Sequence, residues 1–94
     1  MKGYVIAIRY GVSDPEEMAA YSKAARAVMP PNMKFIARYG RSETLEGPPS
    51  EGAALIEFPT YAEAKAWYEG AGYTQARQHR LRGANYQLVL VEGV

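Results

Sequence analysis

The sequence predicts an α+β domain in which a four-stranded antiparallel sheet carries two helices on one face. Three observations predict it: four apolar runs of strand length, two helix patterns that separate them in pairs, and an echo between the two halves of the chain. The runs are Gly3 to Tyr10, Met33 to Gly40, Ala53 to Phe58 and Tyr86 to Glu92, each rich in β-branched or aromatic residues. At a separation of 47 residues, Ser13, Glu16 and Tyr21 are echoed by Thr60, Glu63 and Tyr68. One unit of strand, cap, helix and strand therefore occurs twice, giving the order βαββαβ. Right-handed crossovers from two such units leave both helices on the same side of one sheet, the ferredoxin-like arrangement.

Each element has its own signals. In the first strand Tyr4, Ile6 and Ile8 form one side, and Val5 and Ala7 the other. The first helix opens at "SDPEEM", where Asp14 can cap with Pro15 at the first position, or Ser13 can cap in a box with Glu16. Met18, Tyr21, Ala25 and Val28 then recur at helical steps, which leaves Glu16, Lys23 and Arg26 largely for solvent, and "MPPN" ends the helix. In "PTYAEAKAWYEG" Thr60 and Glu63 form a second capping box, with Tyr61, Ala64 and Tyr68 on one face and Trp67 beside them. Gly70 and Gly72 interrupt the pattern, and Tyr73 to Leu81 resumes it. The last strand sets Leu88 and Leu90 against Val89 and Val91. Both sheet faces are largely apolar while the helices cover one, so the chain is expected to form a homodimer, sheet against sheet across a twofold axis.

Composition bounds the function. A chain of 94 residues makes a single domain, residues 1–94, too short for two cores. Its net charge of +1 supplies no global field for a polyanion, so neither nucleic acid nor a membrane surface is expected as a partner. There is no cysteine, which excludes disulfides and thiol chemistry. "MKGYVIAIRYG" lacks the apolar stretch of a leader and no run is long enough to span a membrane, so a cytoplasmic location is expected. Glycine-rich phosphate loops, HExxH and a second histidine are all absent, so no cofactor and no metal are expected. Tyrosine is the unusual feature, with eight of the eleven aromatic residues.

Candidate site residues gather around "WYEGAGYTQARQHR", Trp67 to Arg80. Arg80 lies seven residues after Tyr73 and four after Ala76, so the three share a helical face that looks toward the sheet. An inward arginine needs an anion: a carboxylate of the chain such as Asp14, Glu46 or Glu57, or the carboxylate or phosphate of a ligand. Tyr21, Trp67, Tyr68 and Tyr73 stand at helical positions that can line a cleft, and their hydroxyls favour a semi-polar cavity over a dry core. Glu57 closes its strand beside Phe58 and Pro59, where a pocket can open, and is placed with the ligand-binding residues as a candidate base. Arg9 and Arg38 read as edge or solvent residues, or as polar groups projecting into the dimer interior. His79, among Arg77, Arg80 and Arg82, reads as a surface residue near a helix end, with no second ligand for a metal.

The chain resembles the bacterial domain of unknown function 1330 family. The resemblance rests on "KGYVIA", "DPE" before the first helix, "LEG" after the second strand, "IEFP" followed by "A.AWY", Tyr73 to Arg80, and the closing "LVLVEG". It implies a dimeric α/β barrel of ferredoxin-like protomers and no particular reaction. The wider superfamily includes cofactor-free monooxygenases, haem-degrading enzymes, lactone isomerases and ligand-binding modules. His79 departs from the family pattern, which usually has an aliphatic residue before the arginine, and this makes it a poor carrier of a family-wide activity. Two readings follow: a homodimeric small-molecule-binding protein with a semi-polar aromatic pocket, or a cofactor-independent enzyme, monooxygenase-like or isomerase-like, acting on a small anionic or aromatic substrate. An unpaired Arg80 facing a cavity, or a strongly perturbed Glu57, favours catalysis. Internal pairing of Arg80 favours a binding or purely structural role.

Overall fold

In the computed structural model, which describes residues 1–94, β1 (Gly3–Val12) is the strand around which the others are arranged. It pairs antiparallel with β3 (Gly52–Phe58) on one side and with β4 (Ala84–Glu92) on the other, and β2 (Lys34–Arg38) lies beyond β3. The order β2-β3-β1-β4 is the predicted ferredoxin-like antiparallel sheet of an α+β fold. Three helices accompany it: α1 (Pro15–Ala27), α2 (Tyr61–Glu69) and α3 (Ala71–Gly83). The second helix pattern is thus two helices, because Gly70 takes extended backbone angles and both ends α2 and starts α3. No helix is long and apolar enough to cross a membrane.

The caps fix the helix starts. Asp14, rather than Ser13, caps α1, its carboxylate accepting from the backbone N–H groups of Glu16 at 3.1 Å and Glu17 at 3.3 Å. At α2 the Glu63 N–H donates to Thr60 Oγ1 at 3.1 Å, and that hydroxyl donates to the Glu63 carboxylate at 3.2 Å.

Strand register decides which side chains meet. Val5 stands between Ile56 and Leu90, and Ala7 between Ala54 and Leu88, all on the helix side. There Val5, Ile56, Phe58 and Ala64 form the buried cluster, with Met33, Phe35, Trp67, Leu88 and Leu90 packed against it. On the opposite face Ile6 stands between Leu55 and Val89, and Tyr4 between Glu57 and Val91. This second face is as apolar as predicted and carries no helix, so Val89 and Val91 remain 43% and 44% exposed.

α1 leans on α3 and meets the strands at few points. Two glycines set that contact: a Cβ at Gly83 would lie 2.8 Å from Glu17 Cβ and 3.0 Å from the Asp14 carbonyl oxygen, and one at Gly72 would lie 2.6 Å from Val28 Cγ1. The Gly83 carbonyl also accepts from the N–H groups of Ser13 at 2.9 Å and Asp14 at 3.1 Å. Held from the side, α1 buries no residue completely, and its inward side chains Met18, Tyr21 and Ala25 border a gap above the sheet.

Candidate functional site

The gap is a cavity of about 240 Å³ between α1 and the sheet. Its size lies near the small end of the range of small-molecule sites. β1 supplies Ala7 and Arg9, β4 supplies Tyr86 and Leu88, and Met18, Met29, Met33 and Phe35 make much of the apolar wall.

Arg80 is the only charged residue among those fully buried, at 4% exposure, on the face of α3 that also buries Tyr73, Ala76 and Gly83. The ion pairs of the chain are Lys2 with Glu57, Arg9 with Glu51, and both His79 and Arg82 with Glu17, so none reaches Arg80. Its Nε is buried without a hydrogen-bond partner. What surrounds the guanidinium is aromatic: its carbon lies 5.2 Å from the Tyr86 ring centroid and 5.9 Å from that of Tyr21. Such cation–π contacts recover about 0.5–2 kcal/mol each, less than the cost of desolvating a charge.

The remaining polar groups are also donors. Tyr21 and Tyr73 place their hydroxyl oxygens 2.8 Å apart, and so do Tyr39 and Tyr86. In each pair one hydroxyl donates to the other, which leaves the acceptor's own proton free to donate outward. Burial pushes the Tyr21 and Tyr39 phenols well above the ordinary tyrosine range, reinforced in each case by the hydroxyl partner, so both stay protonated. Trp67 Nε1 is buried without a partner, and the indole lies against Tyr73 at 4.1 Å between centroids. Arg9 stacks on Tyr39 at 4.4 Å, its Nε 2.8 Å from Glu51 Oε1 but not directed along a hydrogen bond. Arg38 stacks on Phe35 at 4.4 Å. Four arginines line the cavity, and no aspartate, glutamate or histidine does.

Of the residues singled out in the sequence, Arg80, Tyr21, Trp67 and Tyr73 are brought together here. Tyr68 is not: it touches Tyr73 from behind, lies beneath Arg77 at 4.2 Å, and borders a separate hollow with Val5 and Leu90. Glu57 is not either, since its strand parity turns it to the uncovered sheet face. There it accepts from Tyr4 Oη at 3.1 Å and pairs with Lys2 Nζ at 3.2 Å, and the Lys2 contact above all holds its carboxyl below the usual range. Arg9 and Arg38, read as edge or solvent groups, instead line the cavity, because they share the helix-side parity of Val5 with Ala7 and of Phe35. His79 is half-buried outside the cavity, its Nδ1 2.8 Å from Glu17 Oε2. Tyr39 and Tyr86 were not anticipated. Tyr86 carried a signal in its parity with Leu88 and Leu90, whereas Tyr39 depends on a left-handed backbone (φ 51°) that no pattern announces. Nowhere in the chain do three metal-ligating side chains converge.

The fold recurs in proteins of low sequence identity. A protein of unknown function from Rhodopseudomonas palustris superposes with a TM-score of 0.72 at 18% identity, over 99% of this chain and 82% of that one. A dimeric ferredoxin-like protein of unknown function from Thermobifida fusca gives 0.66 at 12%, covering 99% and 92% of the two chains. A variant of SnoaB, a cofactor-independent oxygenase from Streptomyces nogalater, gives 0.61 at 10%, covering 98% and 91%. In sequence, no curated protein matches the chain. Residues 2–94 match a family model described as domain of unknown function (DUF1330), and by that match the chain belongs to the DUF1330 family.

Proposed function

We propose that this protein is a homodimeric small-molecule-binding protein whose pocket takes a small carboxylic acid with a flat apolar body. One observation carries the reading: Arg80 is buried, unpaired and set in a cavity that has no acidic residue. A buried guanidinium without a counter-ion is costly, and an incoming carboxylate relieves that cost through charge-assisted hydrogen bonds. The free tyrosine protons add donors, and the methionine and aromatic walls suit the body of the ligand. The dimer forms through the uncovered sheet face, in keeping with relatives in fold that are described as dimeric.

Cofactor-independent catalysis is the second reading, and it is the one that the sequence tied to an unpaired Arg80 facing a cavity. That reading needs a proton acceptor, whereas the pocket offers protonated phenols and Glu57 faces the other way. Thermal-shift and calorimetric titrations with benzoate and phenylacetate, and with the neutral benzamide as control, test the proposal. The acids are expected to bind the wild type and to lose at least about tenfold in affinity with Arg80→Met, while benzamide binds neither form well. Equal binding of benzoate and benzamide, or acid binding indifferent to Arg80→Met, contradicts it.

A further inference from the structure

The arginines of this cavity are more numerous than one carboxylate requires. Arg80 occupies its buried end, and the charge of Arg9 is met by Glu51. Arg26, in the last turn of α1, and Arg38, at the end of β2, also line the cavity, and both are exposed. Neither makes an ion pair, and neither donates a side-chain hydrogen bond; Arg38 only stacks on Phe35. One buried and two exposed arginines, all unpaired, thus line one small cavity.

We infer that the ligand is a compact diacid, with one carboxylate on Arg80 and the other held by the exposed Arg26 and Arg38. The inference rests on the acid-binding reading of the same pocket. A monoacid answers Arg80 alone and leaves two guanidinium groups facing the ligand's apolar end. A second carboxylate answers those and remains partly in water, where its desolvation cost is small. The cavity of about 240 Å³ limits the spacer to a single ring or a short chain. Trp67, half-buried on the cavity wall, offers an aromatic surface for a flat spacer. A phosphomonoester carries its two charges on one group and does not answer the buried and the exposed arginines together.

Calorimetric titrations of the full-length protein with benzoate, isophthalate, terephthalate and phenyl phosphate at one ionic strength test this, repeated on the double variant Arg26→Gln/Arg38→Gln. Both substituted residues are exposed and unpaired, so the variant is expected to fold. The better phthalate isomer is expected to bind at least about tenfold more tightly than benzoate, and the ratio is expected to fall below about threefold in the double variant. Benzoate binding as tightly as either diacid, a ratio that survives the double substitution, or phenyl phosphate outcompeting both diacids overturns the inference while leaving a monoacid or phosphate site intact. If no acid binds at all, benzoate included, the acid-binding reading itself fails and this inference fails with it.

Discussion

A buried arginine with no carboxylate destabilises a protein until something binds it. Arg80→Met keeps much of the side-chain volume and removes the charge, so unliganded protein is expected to be unchanged or up to about 2 kcal/mol more stable, since apolar replacement of buried charge is often neutral or stabilising. Urea unfolding of both forms checks this. A loss of more than about 2 kcal/mol would mean that Arg80 has a partner in the folded protein and that its role is structural. The inward aim of Arg80 was legible from its spacing to Tyr73 and Ala76, because helical periodicity is set by the backbone alone. The pocket roles of Arg9 and Arg38 were less so. A charged residue that follows an apolar strand usually marks where the strand meets water, and only the cavity above the sheet gives these side chains a place on the helix side. Glu57 shows the converse: its position at a strand end suggested a pocket, but its parity with Leu55 assigned it to the other face.

At the scale of elements, the pocket exists because α1 is propped on α3 and not pressed onto the sheet. At Gly83 an added methyl meets the Asp14 carbonyl and Glu17 Cβ, atoms that cannot swing aside. Gly83→Ala is therefore expected to cost about 1–3 kcal/mol, as overpacking does, and Gly72→Ala less, because it meets Val28 side-chain atoms and no backbone. Thermal unfolding of the two variants compares them directly. The same helix pair is tied by Glu17, which accepts from Arg82 Nε at 3.3 Å and lies 2.8 Å from His79 Nδ1. The His79 contact first, and Arg82 next, hold its carboxyl below the ordinary value of 4.5. A lowered folded-state pKa means that this stabilisation is present above about pH 4.5 and is lost as pH falls through the depressed value. Glu57 acts with the same sign on the uncovered face. Melting temperature is thus expected to drop below about pH 4.5, and Glu17→Gln/Glu57→Gln to flatten that drop; an unchanged acid limb would show that neither pairing persists in solution. The caps and the break at Gly70 were readable in the sequence, since capping chemistry is local. The lean of α1 was not, because it depends on two glycines meeting a helix distant in sequence.

For the whole molecule, the uncovered sheet face is the feature that a single chain leaves unresolved. Ile6, Leu55, Val89 and Val91 form an apolar patch on a sheet whose other side already holds the core, and only a second surface can bury it. The two-sided apolar pattern was legible in the sequence, because the parity of β1 and β4 can be read residue by residue. Val89→Asp is expected to convert the dimer to monomer at micromolar concentration in sedimentation equilibrium, and a wild type that sediments as a folded monomer would remove the case for pairing through this face. What the pocket binds is less legible at this scale, since the same fold carries proteins of unknown function and an oxygenase alike, and the cavity is lined by side chains from all seven elements. A crystal structure of the protein grown with benzoate gives the sharpest test of an acid site at Arg80. The expected result is a carboxylate oxygen about 2.8 Å from the Arg80 guanidinium, with the ring between the methionine wall and Trp67. Benzoate bound elsewhere, or Arg80 paired with a carboxylate of the protein itself, would contradict it.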